Sequence, residues 1–159
     1  MDNEKIRDYT ARISQANRSE LVVIIFELFD YSIDEAEKSF SDKNIDEAIK
    51  YMRKAQGCVV ELRGSLNFQY EVSYRLERLY KYVNEQISAS MARREPVNFN
   101  SIKEVMGGLH ESFEKIAQED TSETVMKNSQ QVYAGLTYGK GTLNEVFMNP
   151  NEASRGFKA

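Results

Sequence analysis

The first 95 residues contain no proline, since the only two stand at Pro96 and Pro150, and this feature constrains the fold most. Proline interrupts helix interiors and serves the tight turns that a β fold needs at short intervals. Across the same stretch apolar residues recur at three and four positions, the spacing that puts them on one helical face. The fold class is read as all-α. With 159 residues, of which 41% are hydrophobic and 11% aromatic, the chain is long enough to close one core.

A net charge of -4 excludes a general nucleic-acid binder, because such proteins draw most of their affinity from a clustered basic face. Arg93 and Arg94 are only a local pair. The densest apolar stretch, Leu21 to Phe29, holds Glu27 and falls far short of the ~20 residues of a membrane span. The N-terminus begins with Asp2, Asn3 and Glu4 and lacks a basic lead followed by an apolar run. The expectation is a cytoplasmic protein with no membrane insertion. Cys58 is the only cysteine, so an internal disulfide is excluded, and its neighbours Val59, Val60 and Leu62 predict a buried thiol.

Taken in order, residues 1–18 form a polar leader in which Ile6, Tyr9 and Ile13 share one face of a short helix or a docked strand. Ser19 is a candidate N-cap for a first long helix running to Phe40. The β-branched VVIIF run suits a strand, but Leu28, Ile33, Ala36 and Phe40 continue it at helical spacing without a turn signal, which decides for helix. Asn44 followed by Glu47 has the spacing of a capping box for a second long helix. That helix carries Ile45, Ala48, Ile49, Met52, Ala55, Val59, Leu62 and Leu66. Its apolar arc, from Cys58 and Tyr51 round to Val60, covers about 200°, wider than the ~100° that one buried face requires. Part of the arc is left without a partner.

After a corner at Leu66, Asn67 and Phe68, the third helix places Val72, Leu76, Leu79, Tyr80, Val83, Ile87 and Met91 within about 120°, a core seam. Tyr74 and Tyr82 fall outside that seam. Pro96 ends this helix, and Asn98 or Asn100 caps a fourth that holds Phe99, Ile102, Val105, Met106, Leu109, Phe113 and Ile116. Short loops between long helices predict an antiparallel four-helix bundle over residues 19–119. Residues 120–159 are rich in Ser, Thr, Asn, Gln and Gly and read as a flexible tail, with Thr142 to Met148 as a segment able to dock.

Catalytic chemistry is missing. His110 is the only histidine, so a histidine-rich metal site has no ligands, and no cofactor motif is present. The string Gly135 to Thr142, GLTYGKGT, is one residue short of a phosphate loop, places Gly141 where Ser or Thr is required, and follows no strand. A histidine phosphotransfer module built on His110 is a remaining alternative, although Glu111 and Glu114 make its surroundings acidic. The chain is read as no enzyme.

Three stretches carry a family likeness. They are YTARISQANRSELVVIIFELFDYSIDEA from Tyr9, then Glu61-Leu62-Arg63-Gly64-Ser65-Leu66-Asn67-Phe68 after Lys54-Ala55-Gln56, then Leu76-Glu77-Arg78-Leu79-Tyr80-Lys81-Tyr82-Val83. In order and spacing they resemble the capped first helix, LDF corner and LYDYM stretch of flagellar secretion chaperones of the FliS type, over about residues 6 to 117. Gln69-Tyr70-Glu71 replaces a glycine-rich corner, Phe113 stands near a common tryptophan, and the tail is longer than usual.

The resemblance implies a bundle that binds the disordered C-terminal segment of flagellin, prevents premature polymerisation and delivers it to a flagellar export gate protein of the type III apparatus. It implies that Ile6 and Tyr9 contact the gate, and that the leader can fold over an empty groove as an N-terminal cap. Residues expected to line the flagellin groove are Tyr51, Ala55, Cys58 and Leu62 on the second helix with Tyr74 and Tyr82 on the third. An adaptor bundle for another partner is the alternative.

Overall fold

A computed structural model describes residues 1–126, and within them the protein has five helices and no strand. The expected tail beyond residue 126, including the string Gly135 to Thr142 and the docking segment Thr142 to Met148, lies outside the described residues. Two compact units divide the described residues, Ser19–Asp120 and one made of Met1–Arg18 with the residues that follow Asp120.

In the smaller unit, α1 spans Asn3–Gln15. Asp2 caps it, its carboxylate accepting from the Lys5 backbone N–H at 2.9 Å, and Glu4 sits at the positive end of the helix dipole. Of the two conformations expected for the leader, helix is the one adopted. The Val125 N–H donates to the Ala16 carbonyl at 3.0 Å and fastens the chain after residue 120 to the end of α1.

The larger unit is built on α2 (Arg18–Ser41), α3 (Ile45–Gly64), α4 (Glu71–Arg93) and α5 (Phe99–Glu119). Ser19 does not cap α2, because the helix already begins at Arg18. Its hydroxyl instead meets the Asp120 carboxylate at 2.5 Å, linking the start of α2 to the residue after α5. The turn after α2 is a Schellman closure: the Asn44 N–H reaches the Ser39 carbonyl, the Lys43 N–H reaches Phe40, and Lys43 takes φ 61. Asn44 then caps α3, accepting from the Glu47 N–H at 3.4 Å. Asn98 does flank α5 as expected, but its side chain donates to Gln86 and leaves the first turn uncapped.

All four of these helices contribute to one core. It gathers Phe26, Phe29 and Ile33 from α2 with Met52, Val59 and Leu62 from α3, Tyr80, Val83 and Ile87 from α4, and Ile102 and Met106 from α5. Each of these side chains is at most 1% exposed, so the 3.6-residue period of each helix has been converted into a shared interior. Burial raises the Tyr80 phenol above its ordinary range. α3 packs along α4, and α4 along α5. Long side chains join α2 to α5: Phe26 stacks on Phe113, Phe40 meets Phe99 edge-on, and the Lys103 ammonium reaches Asp34 at 3.0 Å and Glu37 at 2.5 Å.

Two residues assigned to the core seam of α4 are not in it. Val72 and Leu79 are 54% and 36% exposed. Side-chain bonds from α4 toward α5 and the segment before it fall at Tyr82, Gln86 and Ser90. Val72 and Leu79 lie earlier in α4, roughly 50–70° from its core direction at 100° per residue, and no side chain closes over them.

Candidate functional site

Seven large hydrophobic side chains are exposed in the Ser19–Asp120 unit, and six of them lie on the stretch from α3 through the corner into α4: Val60, Phe68, Tyr70, Val72, Tyr74 and Leu79. Asn67 organises the corner. Its side-chain oxygen accepts from the Gln69 N–H at 3.0 Å, while its carbonyl accepts from the Tyr70 N–H and from the Ser73 hydroxyl at 2.6 Å. No residue of this corner takes a positive φ, so Gln69-Tyr70-Glu71 makes the turn without glycine.

Three side-chain bonds set the register of α3 against α4. Arg63 Nε donates to Glu77 at 2.6 Å, and Gln56 Nε2 donates to Asn84 at 2.9 Å and to Ser88 at 3.3 Å. Going back along α3 moves forward along α4, so the two helices run antiparallel. The bond and the charge of Glu77 raise the Arg63 guanidinium pKa further. Val60 lies between these rungs, about 130° from the core direction of α3, and Tyr74 about 150° from that of α4. Both therefore lie on the outer face of the pair, where the Tyr74 ring packs on Phe68 at 5.1 Å. Gly57 and Gly64 flank Val60 one turn away on either side, with open space where a Cβ would stand.

The residues expected to line a groove are distributed differently. Tyr51, Ala55 and Leu62 are buried in the core, at 8%, 0% and 0% exposure. Cys58 is partly buried against the core, and desolvation pushes its thiol up to about 11. Tyr82 also packs against the core, and its hydroxyl hydrogen-bonds Ser101 at 2.9 Å. Tyr74 alone of the six stands on the exposed outer face. Ile6 is exposed on α1, while Tyr9 is half-buried with the Arg12 guanidinium over its ring. The wide apolar arc on α3 did carry the missing signal, since Val60 lies at its far edge. Phe68 and Tyr70 gave none, because a corner has no settled period to depart from, and the period of Val72 pointed to the core instead.

His110 takes a structural position. Its Nδ1 is 2.8 Å from the Asp30 carboxylate, its ring stacks on Phe26, and its buried Nε2 has no hydrogen-bond partner, with Glu114 at 3.7 Å. Neither ring nitrogen is open to an incoming phosphoryl group, so the geometry gives the phosphotransfer reading no support. An open cleft of about 280 Å³ lies beside it, lined by Phe29, Asp30, Ile33, Asp34, Lys103 and Gly107, in which Lys103 pairs with Asp34 and Asp30 is held by His110. Among the described residues no group of His, Cys, Asp and Glu is arranged to hold a metal ion, and no helix is long and apolar enough to cross a membrane.

Five helices, one core shared by α2 to α5 and an exposed apolar stretch on a helical hairpin define an all-helical class of protein among the described residues. Residues 1–120 match the family model described as flagellar protein FliS, and the chain belongs to that family. The family is one of flagellar export chaperones and not of enzymes. No curated protein sequence matches the chain.

Proposed function

We propose that this protein is a cytoplasmic chaperone that covers the C-terminal segment of flagellin, prevents its premature polymerisation and delivers it to the flagellar export gate, with α2–α5 acting as an antiparallel four-helix bundle. The observation that carries the reading is the concentration of exposed apolar side chains on the stretch from Val60 to Leu79, within a chain of this family. Flagellin subunits associate through amphipathic terminal helices, so a cover for them must itself offer an apolar surface to a helix. Ordering such a segment costs about 2–5 kcal/mol, and roughly 200 Å² of buried apolar area offsets the upper figure at ~25 cal/mol per Å². Six exposed side chains of this size supply more than that. Tyr74 belongs to the binding surface in this reading, whereas Tyr51, Ala55, Cys58, Leu62 and Tyr82 support it from beneath.

The test is calorimetry with a flagellin C-terminal peptide at micromolar concentrations. A complex that weakens on Val60→Ser is expected; absence of a complex sinks the reading in favour of an adaptor for another partner. For the gate we propose Ile6 and Tyr9, which lie three residues apart on one face of α1. Ile6→Ala with Tyr9→Ala should abolish capture by the export gate protein while flagellin binding persists, and unchanged capture would remove the assignment.

A further inference from the structure

The helices of the larger unit divide unequally in charge. α2 carries six acids against two bases and α5 four against two, whereas α3 and α4 each carry four bases against three acids. On the outer face of α3 and α4 the imbalance is sharper. Arg53 lies two turns before Val60 on the same line of α3, and Arg78 and Lys81 flank the line of Tyr74 on α4. All three are exposed, and among the described residues none of them stands in an ion pair, while Glu61 beside Val60 and Glu85 on α4 are the exposed acids of this stretch without a salt-bridge partner. Glu77 is neutralised by Arg63 at 2.6 Å, and Glu71 by Arg75 at 3.7 Å. The apolar side chains Val60, Phe68 and Tyr74 therefore sit among unpaired charges with a basic excess of three to two, on a chain whose net charge is -4.

From this complementarity we infer that the outer α3–α4 face selects an amphipathic helical segment whose flanks are acidic. The inference rests on the binding reading above and adds the chemistry of the bound segment to it. Apolar contact with Val60, Phe68 and Tyr74 supplies affinity, and Arg53, Arg78 and Lys81 set orientation and exclude basic helices, since like charges across an interface are repelled. Gly57 and Gly64 leave open space on either side of Val60, with nothing within 4 Å of an added Cβ. Exposed charges act mainly at low ionic strength, because the Debye length falls to ~10 Å at 0.1 M salt and shortens further above it.

The experiment compares three helical peptides with one common apolar face and flanks of Glu, Gln or Lys, titrated into the full chain and followed by fluorescence anisotropy at low and high salt. The Glu peptide should bind at least about tenfold more tightly than the Lys peptide at low salt, and the ratio should shrink toward one as salt rises. Arg78→Glu with Lys81→Glu should lower Glu-peptide affinity about tenfold, whereas Arg18→Glu with Lys38→Glu on α2, an equal charge change on another helix, should leave it unaltered. No preference among the peptides, no binding of any of them, or an equal effect of the α2 double reversal would each overturn the inference. A flagellin C-terminal peptide run in parallel separates the two readings. If it binds and is indifferent to the charge reversal, the acidic-segment inference fails and the chaperone reading stands; if the Glu peptide binds and the flagellin peptide does not, the reverse holds.

Discussion

His110 on α5 and Asp30 on α2 meet at 2.8 Å between Nδ1 and a carboxylate oxygen, and this contact crosses between two helices otherwise joined mainly by aromatic rings and Lys103. Burial is the largest influence on the Asp30 carboxyl and raises its pKa, with the hydrogen bond and charge of His110 acting in the opposite sense. A carboxyl raised on folding binds its proton more tightly in the native state than in the unfolded chain. Its contribution to stability therefore grows as pH falls through the raised value and levels off below the unfolded one. Urea unfolding of wild type and Asp30→Asn between pH 7 and pH 3.5 should show wild type gaining on the variant as the solution is acidified. Parallel curves would show that the carboxyl is not perturbed.

Leu62 and Val60 are two residues apart on α3 and should behave as opposites. Leu62 is wholly buried, and Leu62→Ala should cost about 2–5 kcal/mol through lost burial and the cavity left behind. Val60 is 59% exposed, and Val60→Ser should change stability by at most about 0.5 kcal/mol while weakening flagellin binding. Chemical denaturation and calorimetry on the two variants would check this. A stable Leu62→Ala protein, or a Val60→Ser protein with unaltered binding, would contradict the assignment of faces.

That pair also shows how far the sequence could be read. Helix-forming stretches, the Asn44 cap and the interior positions of α3 follow from spacing and local chemistry, because a 3.6-residue period marks a buried face whatever lies against it. Which neighbour covers the edges of that face is a property of packing. Tyr51, Ala55 and Leu62 have the same period as groove residues would, and only the positions of α2 and α4 show that they are interior. Val72 and Leu79 fit the seam of α4 by period and are exposed because the bonds toward α5 begin at Tyr82. Ser19 has the chemistry of a cap, yet its hydroxyl is taken by Asp120, a partner distant in sequence.

Glycine should help at one position and hurt at another. Lys43 holds φ 61 in the closure after α2, a conformation that costs a residue with a Cβ about 1 kcal/mol, and Lys43→Gly should recover much of it. Gly108 lies inside α5 with nothing within 4 Å of an added Cβ, so Gly108→Ala should add about 1 kcal/mol by helix propensity alone. For a unit of this size each change corresponds to about 4–8 °C in Tm. Calorimetric melts of the two variants check both signs, and a destabilised Gly108→Ala would reveal a close neighbour at that face.

Cys58 offers a direct reading of how firmly α3 is held. Desolvation, with the charges of Glu61 and Asp30, pushes its thiol from an ordinary 9.0 up to about 11, so the reactive thiolate is scarce in the folded protein near pH 8. Labelling with a thiol reagent at pH 8 should be slow in native buffer and fast in denaturing urea. In intermediate urea its rate should follow the unfolded fraction. The same shift predicts an alkaline loss of stability: an unfolded thiol gives up its proton near 9.0 while the folded one keeps it until about 11, so stability contributed by the protonated thiol falls across that interval. Cys58→Ala should remove this part of the alkaline loss. Rapid native labelling that is indifferent to urea would place the thiol on an open surface and return Cys58 to the set of residues that touch a partner.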